Sequence, residues 1–263
     1  MNHKPRKRFG QNFLKDQAII ANIINALSLH PDDNVLEIGP GKGALTNLLL
    51  KHLKKLRAVE IDRDLQAFLS QAFKPNQLEI IAADALTIPY DTWGNQLRIV
   101  GNLPYNISTP LILHLLSFVK NIKDMHFMLQ KEVVERLSAE PGNKDYGRLS
   151  IIVQYYCEVT PLFDVPPEAF YPEPKVNSSV VKLVPYLTLP HPDADLKILQ
   201  KLVATAFSMR RKTLANNLKS LISAQELTSL GIDAGYRPEQ ISLLNYIRVA
   251  NFLAEKINLN NKR

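Results

Sequence analysis

The chain has a single cysteine, Cys157, so no internal disulfide can form. Its neighbours Tyr155 and Tyr156 mark it as a buried thiol without a catalytic role. No apolar run approaches the roughly 20 residues of a membrane span, and the basic N-terminus lacks the apolar segment of a secretory signal. A cytoplasmic location without a membrane partner is the expectation. The six histidines include no pair at i,i+4 spacing, which argues against a dedicated metal site. Acids are missing from two segments. Residues 1–15 hold Lys4, Arg6, Lys7, Arg8 and Lys15, and residues 197–219 hold Lys197, Lys201, Arg210, Arg211, Lys212 and Lys219. Eleven positive charges lie in those segments, so against a total of +7 the remainder of the chain carries −4. Basic charge concentrated in this way suits a phosphate backbone.

With 263 residues, 46% of them hydrophobic, the chain can build one large domain or a large and a small one. Asp16 can cap a helix whose Ile20, Ile23, Ile24 and Leu27 share a face. Asn34-Val35-Leu36-Glu37-Ile38 reads as a buried strand running into Gly39-Pro40-Gly41-Lys42-Gly43 and then an apolar helix from Ala44 to Leu53. Strand, glycine turn and helix form a nucleotide-binding layout. The turn lacks the Lys-Ser/Thr ending of an NTPase loop. A second strand ends in Glu60, 17 residues beyond Gly43, where a carboxylate can accept both ribose hydroxyls. A third strand, Leu78 to Ile81, is followed by Asp84. A dinucleotide needs a cradle for its pyrophosphate, whereas a cofactor without phosphates needs polar groups for an amino acid, a ribose and an adenine. Acids at successive strand ends suit the second, and the order of glycine loop, ribose acid and adenine acid resembles the S-adenosylmethionine-dependent methyltransferases.

The fourth strand, Leu97 to Gly101, delivers Asn102-Leu103-Pro104-Tyr105, and Ser108-Thr109-Pro110 opens the next helix. Asn-Leu-Pro-Tyr resembles the (N/D)-P-P-(Y/F) motif of methyltransferases that act on planar exocyclic nitrogens, adenine N6 above all. The lone pair of such an amine is delocalised into its ring, which makes the atom a poor nucleophile. Two acceptors, the Asn102 side-chain oxygen and the Leu103 carbonyl, can hold both N–H groups and turn the lone pair towards a methyl donor. Pro104 stiffens the turn, and Tyr105 offers a face on which the base can stack. Positioning of this kind supplies on the order of 7–11 kcal/mol, so a strong general base is not required.

Further strands are expected at Met125–Gln130, Leu162–Val165 and Ser179–Leu183, with helices beginning near Lys131 and Arg148. A proline-rich strap, residues 166–174, joins the last two strands. From Pro185 the pattern turns linker-like and then helical. Asp193 or Asp195 can cap a helix to about Phe207, a basic helix is expected from Arg211, Ser223 to Glu226 form a capping box, and a final helix buries Leu244, Ile247 and Leu253. The expected fold class is α/β, a Rossmann-like class I methyltransferase sheet with helices on both faces, plus a small all-helical C-terminal domain. The expected boundary gives a catalytic domain over 1–187 and a helical RNA-docking domain over 188–263.

Several stretches resemble one family along nearly the whole chain. Arg8-Phe9-Gly10-Gln11-Asn12-Phe13-Leu14, Glu37-Ile38-Gly39-Pro40-Gly41, Asn102-Leu103-Pro104-Tyr105-Asn106-Ile107-Ser108, Tyr146-Gly147-Arg148-Leu149-Ser150 and Phe207 to Thr213 are similar to segments of the ribosomal RNA adenine N6-dimethyltransferases. The resemblance is closest to bacterial members that convert two adjacent adenosines in the loop of the 3′-terminal helix of 16S ribosomal RNA. It implies S-adenosyl-L-methionine as cofactor, 16S rRNA within the 30S subunit as partner, and a monomer. It also implies that Asn12 and Leu14 close over the methionine end of the cofactor. Gly39 and Gly41 line the cofactor, Glu60 holds its ribose and Asp84 its adenine amino group; Asn102 and Leu103 address the target N6, with Tyr105 and Phe170 as stacking walls. Three alternatives stay open on the four-residue motif alone: methylation of one adenine in 23S rRNA, an RNA-binding assembly factor of the small subunit, and a small-molecule methyltransferase.

Overall fold

A computed structural model of the chain describes residues 11–209 and 211–260. Lys4, Arg6, Lys7, Arg8, Phe9, Gly10 and Arg210, named above for the basic clusters and the N-terminal motif, lie outside the described residues. Compactness divides the chain into one unit of residues 11–134 with 158–185 and a second of residues 135–157 with 186–260.

The first unit is built on a seven-stranded sheet with helices around it. Its strands are β2 (Val35–Ile38), β3 (Leu56–Glu60), β4 (Leu78–Ala82), β5 (Leu97–Asn102), β6 (Ile122–Gln130), β7 (Cys157–Val165) and β9 (Ser178–Pro185). The spatial order is β4-β3-β2-β5-β6-β9-β7. β4 through β6 run parallel, and β9 lies antiparallel to β6. Val35, Leu36, Ile38, Ile99 and Val100 are buried, as inner parallel strands require. The chain leaves β2 for β3 and β4 on one side and returns to β5 on the other. A crevice therefore opens beyond the C-terminal ends of β2 and β5, the place where open α/β sheets bind ligands. The helices of the unit are α1 (Gln17–Leu27), α2 (Ala44–His52), α3 (Arg63–Ala72) and α4 (Ser108–Leu115). Asp16 caps α1 by accepting the N–H groups of Ala18 and Ile19, and Ile20, Ile23, Ile24 and Leu27 fall on its buried side.

At the N-terminal end of β5 a charge enters the core. Arg98, 5% exposed, bonds Asp33 Oδ2 through Nη1 at 2.7 Å, Asp124 Oδ1 through Nε at 3.0 Å and the Leu27 carbonyl through Nη2 at 2.6 Å. A buried guanidinium is tolerable only with such a full set of partners.

A second, two-stranded sheet pairs β1 (Phe13–Leu14) with β8 (Phe170–Tyr171), antiparallel, with Phe13 opposite Tyr171 and Leu14 opposite Phe170. The main-chain N–H groups of Lys15 and Asp16 extend the tie to the Ala169 carbonyl, at 2.8 and 3.3 Å. Period-two alternation sends Leu14 and Phe170 into the core and leaves Tyr171 60% exposed.

The second unit is helical. It takes in α6 (Arg148–Tyr156), α7 (Leu196–Ala206), α8 (Leu214–Leu218), α9 (Ala224–Ser229) and α10 (Leu243–Asn260), with the end of α5 (Lys131–Ser138). Tyr146, Ile151 and Tyr155 share one core with Leu199, Leu202, Leu218, Tyr246 and Ile247. That shared core is why residues 135–157 belong here, whereas the sequence places the only boundary near 187. Asp195 caps α7, while Asp193 accepts the Tyr155 hydroxyl at 2.7 Å. Two expectations are corrected. The basic segment is not a helix from Arg211: α8 starts at Leu214 because Thr213 is its N-cap, and Asn217 donates back to the Met209 carbonyl at 3.1 Å, leaving Arg211 and Lys212 in the preceding turn. Leu244, expected inside, is 41% exposed, while Ile247 and Leu253 are buried. No helix among the described residues is long and apolar enough to cross a membrane.

Candidate active site

A cavity of about 170 Å³ opens at the crevice between the ends of β2 and β5. Nine residues singled out from the sequence line it: Asn12, Leu14, Gly39, Gly41, Glu60, Asp84, Asn102, Leu103 and Tyr105. Phe170 does not. It is fully buried in the core of the first unit, on the side of β8 that faces away from solvent, so as positioned here it cannot form the second wall of a base pocket.

One side of the cavity is the turn after β2. Gly41 holds φ +57°, and a Cβ there would meet the Phe13 ring at 3.1 Å, so a larger residue would be both strained and obstructed. The Phe13 ring thus covers the turn, and Lys42 Nζ stands 5.0 Å from its centroid. The Gly41 N–H donates to Glu60 Oε2 at 3.3 Å, and the Asp62 N–H to Glu60 Oε1 at 2.9 Å. Burial raises the Glu60 carboxyl above its ordinary value against the pull of those N–H groups. Each of its oxygens keeps a second lone pair for a hydroxyl donor. Asp84 Oδ1 accepts the Leu86 N–H at 2.9 Å, and Oδ2 has no hydrogen-bond donor among the described residues. These two carboxylates fit a ribose and an amino group, and a cradle closed by Phe13 fits a compact apolar-and-polar ligand.

Another wall is the turn after β5. Gly101 is required there because a Cβ would lie 2.6 Å from the Ile38 carbonyl on the neighbouring strand. The Leu103 N–H donates to the Met128 carbonyl at 3.2 Å, which holds the turn against β6. The Asn102 amide donates from Nδ2 to the Asn12 carbonyl at 2.8 Å. A main-chain carbonyl only accepts, so this bond fixes which end of the amide faces Asn12. Oδ1 is left on a residue that lines the cavity, with no donor to it among the described residues. The Tyr105 hydroxyl lies 2.8 Å from Ser178 Oγ.

Three features of the site have no role in the sequence reading. Gln11 donates to Asp62 Oδ2 at 3.1 Å and so ties the N-terminal segment to the loop after β3. Ser178 holds Tyr105. Glu37, 1% exposed, lines the cavity and accepts the Thr46 hydroxyl at 2.6 Å. Burial pushes its carboxyl up to about 7, against that hydrogen bond and with the Glu60 charge adding to the rise. An acid inside the apolar run Val35 to Ile38 is the signal for it, because a buried carboxylate must either pair or take up a proton.

Carboxylates at the ends of β3 and at Asp84, with no cationic phosphate-loop ending after the glycine turn, disfavour a pyrophosphate and favour a cofactor that carries none. Fold and site define an S-adenosylmethionine-dependent methyltransferase. The model of the ribosomal RNA adenine dimethylase family matches residues 2–255, and the chain belongs to that family. It is 57% identical over 255 residues to ribosomal RNA small subunit methyltransferase A of Legionella pneumophila (strain Corby), covering 97% of this chain and 100% of the relative. It is 54% identical over 260 residues to the protein of the same name in Pseudomonas syringae pv. syringae (strain B728a), covering 97% of each. Among solved structures it is similar to a dimethyladenosine transferase from Plasmodium falciparum, with TM-score 0.78 and 28% identity over 93% of this chain and 98% of the other. It is also similar to the 23S rRNA methyltransferase ErmE, with TM-score 0.69 and 26% identity over 92% and 100%.

Proposed function

We propose that this protein dimethylates N6 of two adjacent adenosines in the loop of the 3′-terminal helix of 16S rRNA, acting in the cytoplasm as a monomer on the 30S subunit. The observation that carries the reading is the Asn102 amide locked onto the Asn12 carbonyl, which reserves Oδ1 for an amine donor in the cavity. Bound S-adenosylmethionine supplies an electrophilic methyl group. Gly39 and Gly41 give it room, Glu60 holds its ribose, Asp84 its adenine amino group, and residues 11–14 cover its methionine end. The Leu103 carbonyl joins Asn102 Oδ1 in holding the target amine, and Tyr105 stacks on the adenine. An unpaired loop base reaches the cavity at a cost of only a few kcal/mol of unstacking.

The helical unit is the RNA-docking part in this reading. Lys197, Lys201, Arg211, Lys212 and Lys219 are all exposed and make no ion pair among the described residues, so they are free to neutralise phosphates. Methylation of 23S rRNA is the weaker reading, because the relatives at 54–57% identity carry a small-subunit name. The test is to incubate the purified chain with methyl-labelled cofactor and separated ribosomal subunits. Label should enter 16S rRNA and be recovered as dimethyladenosine; label confined to the large subunit would overturn the proposal.

A further inference from the structure

Tyr105 is held at both ends. Its main chain belongs to a turn closed by the Ile107 N–H and the Ser108 hydroxyl, both donating to the Pro104 carbonyl at 3.1 and 3.0 Å. Its far end, the phenolic oxygen, lies 2.8 Å from the Ser178 hydroxyl. Ser178 is the first residue of β9 and has no exposed surface. It stands opposite Gln130 on β6, while Asn102 stands opposite Met128 on the same strand. β6 lies between β5 and β9, so the tyrosine leaves the end of β5, passes the end of β6 and is fastened on β9.

The neighbouring hydroxyl is committed elsewhere. Ser179 donates to the Asp164 carboxylate at 2.8 Å and lies 3.2 Å from the Phe163 carbonyl. Alternation along β9 places the two serine side chains on opposite faces of the sheet. Only Ser178 can serve Tyr105. The strand carrying it is fixed by the β6 register and by the Lys131 N–H, which donates to the Asn177 carbonyl at 3.0 Å. A ring tethered at one end can swing about its first side-chain torsion; tethered at both, its axis is fixed between the turn and β9.

We propose that Ser178 is a positioning residue for methyl transfer: by holding the Tyr105 hydroxyl it fixes the place and the axis of the ring on which the target base stacks. The proposal rests on the role given to Tyr105 above. Buried from the substrate, Ser178 acts through the ring and touches neither base nor cofactor. It gives the hydroxyl of Tyr105 a function that its aromatic face alone does not require.

The test is a double-mutant cycle on the full chain with unmethylated 30S particles, reading the single-turnover rate of methyl transfer and, separately, the Kd for S-adenosylmethionine. Ser178→Ala and Tyr105→Phe should each slow transfer about ten- to a hundredfold, the range that misplacement of a reacting group produces. The cofactor Kd should stay within about twofold, and the double variant should be no slower than the slower single one, because both changes remove the same bond. A Ser178→Ala rate equal to that of the unaltered chain overturns the proposal. Multiplicative losses in the double variant also overturn it, since they would place Ser178 in an independent structural role. If Ser178→Ala fails to fold, Tyr105→Phe carries the test alone, and transfer at the original rate refutes the bond's role. Absence of transfer by the unaltered chain overturns the functional reading itself; normal transfer by it with undiminished variants overturns only the role of Ser178.

Discussion

The side-chain amide of Asn102 donates to the main-chain carbonyl of Asn12, across 90 residues of sequence. One end of that amide holds the N-terminal segment, and the other is left on a residue that lines the cavity, where the proposed function gives it the target amine. Chemistry and closure of the cavity therefore meet in a single side chain.

Asn102→Ala removes the acceptor for the target amine and the tie to Asn12. Methyl transfer should fall by at least about a hundredfold, while binding to 30S particles, which the proposed function assigns to the exposed basic residues, should stay nearly intact in a filter-binding assay. Loss of both together would tell against the separation of transfer from docking and in favour of a protein whose contribution is occupancy of the subunit.

Glu37 couples stability to pH. Its folded-state carboxyl stands at about 7, above an ordinary value of 4.5, so the folded state binds the proton more tightly than the unfolded chain does. The stabilisation is fully present below pH 4.5 and is lost as the pH rises through 7. Glu37→Gln keeps an acceptor for Thr46 without the titration. The stability of the variant relative to the unaltered chain should rise by roughly 3 kcal/mol over that window, read by urea unfolding of the cofactor-free protein at a series of pH values. Parallel curves would rule the coupling out.

Arg98 should behave as a structural residue. Arg98→Met leaves Asp33 and Asp124 without the guanidinium they share, and the folded state should lose about 3–5 kcal/mol. Chemical denaturation measures this directly. A loss below about 1 kcal/mol would mean that water or rearrangement compensates the two carboxylates.

Phe170 separates packing from stacking. Because it is fully buried, Phe170→Ala should cost about 3–5 kcal/mol in unfolding free energy, with unfolding midpoint and activity falling together. Full stability with a selective fall in transfer would instead assign the ring to the target base.

Local patterns carried far in this chain because its site lies on strand ends. Glu60, Asp84 and Asn102 each follow a short apolar run, and a parallel sheet gathers such ends at one edge, so reading order translated into spatial order. The Asp16 cap, the capping box at Ser223 and the helix from Arg148 were legible for the same local reason. What could not be read depends on contacts distant in sequence. Arg98 meets partners 26 and 65 residues away, Tyr105 meets Ser178 across 73, and the pairing of Leu14 with Phe170 spans most of the first unit. The inward orientation of Phe170 follows from that pairing, which nothing in a proline-rich strap announces. The reach of the helical unit back to residues 135–157 likewise depends on Tyr146 and Tyr155 finding Tyr246, and a composition break near 187 is silent on that.

The ribbon of Phe13–Leu14 with Phe170–Tyr171 is only two residues wide and stands apart from the seven-stranded sheet. So small a ribbon is not stable by its own hydrogen bonds, and what holds it is the burial of Leu14 and Phe170 in the core of the first unit. The cover of the cavity and the core under the main sheet are thereby joined through two side chains. The Asn12 carbonyl that Asn102 holds lies two residues before Leu14, so the cover of the cavity is tied both to the inner strand β5 and to the core.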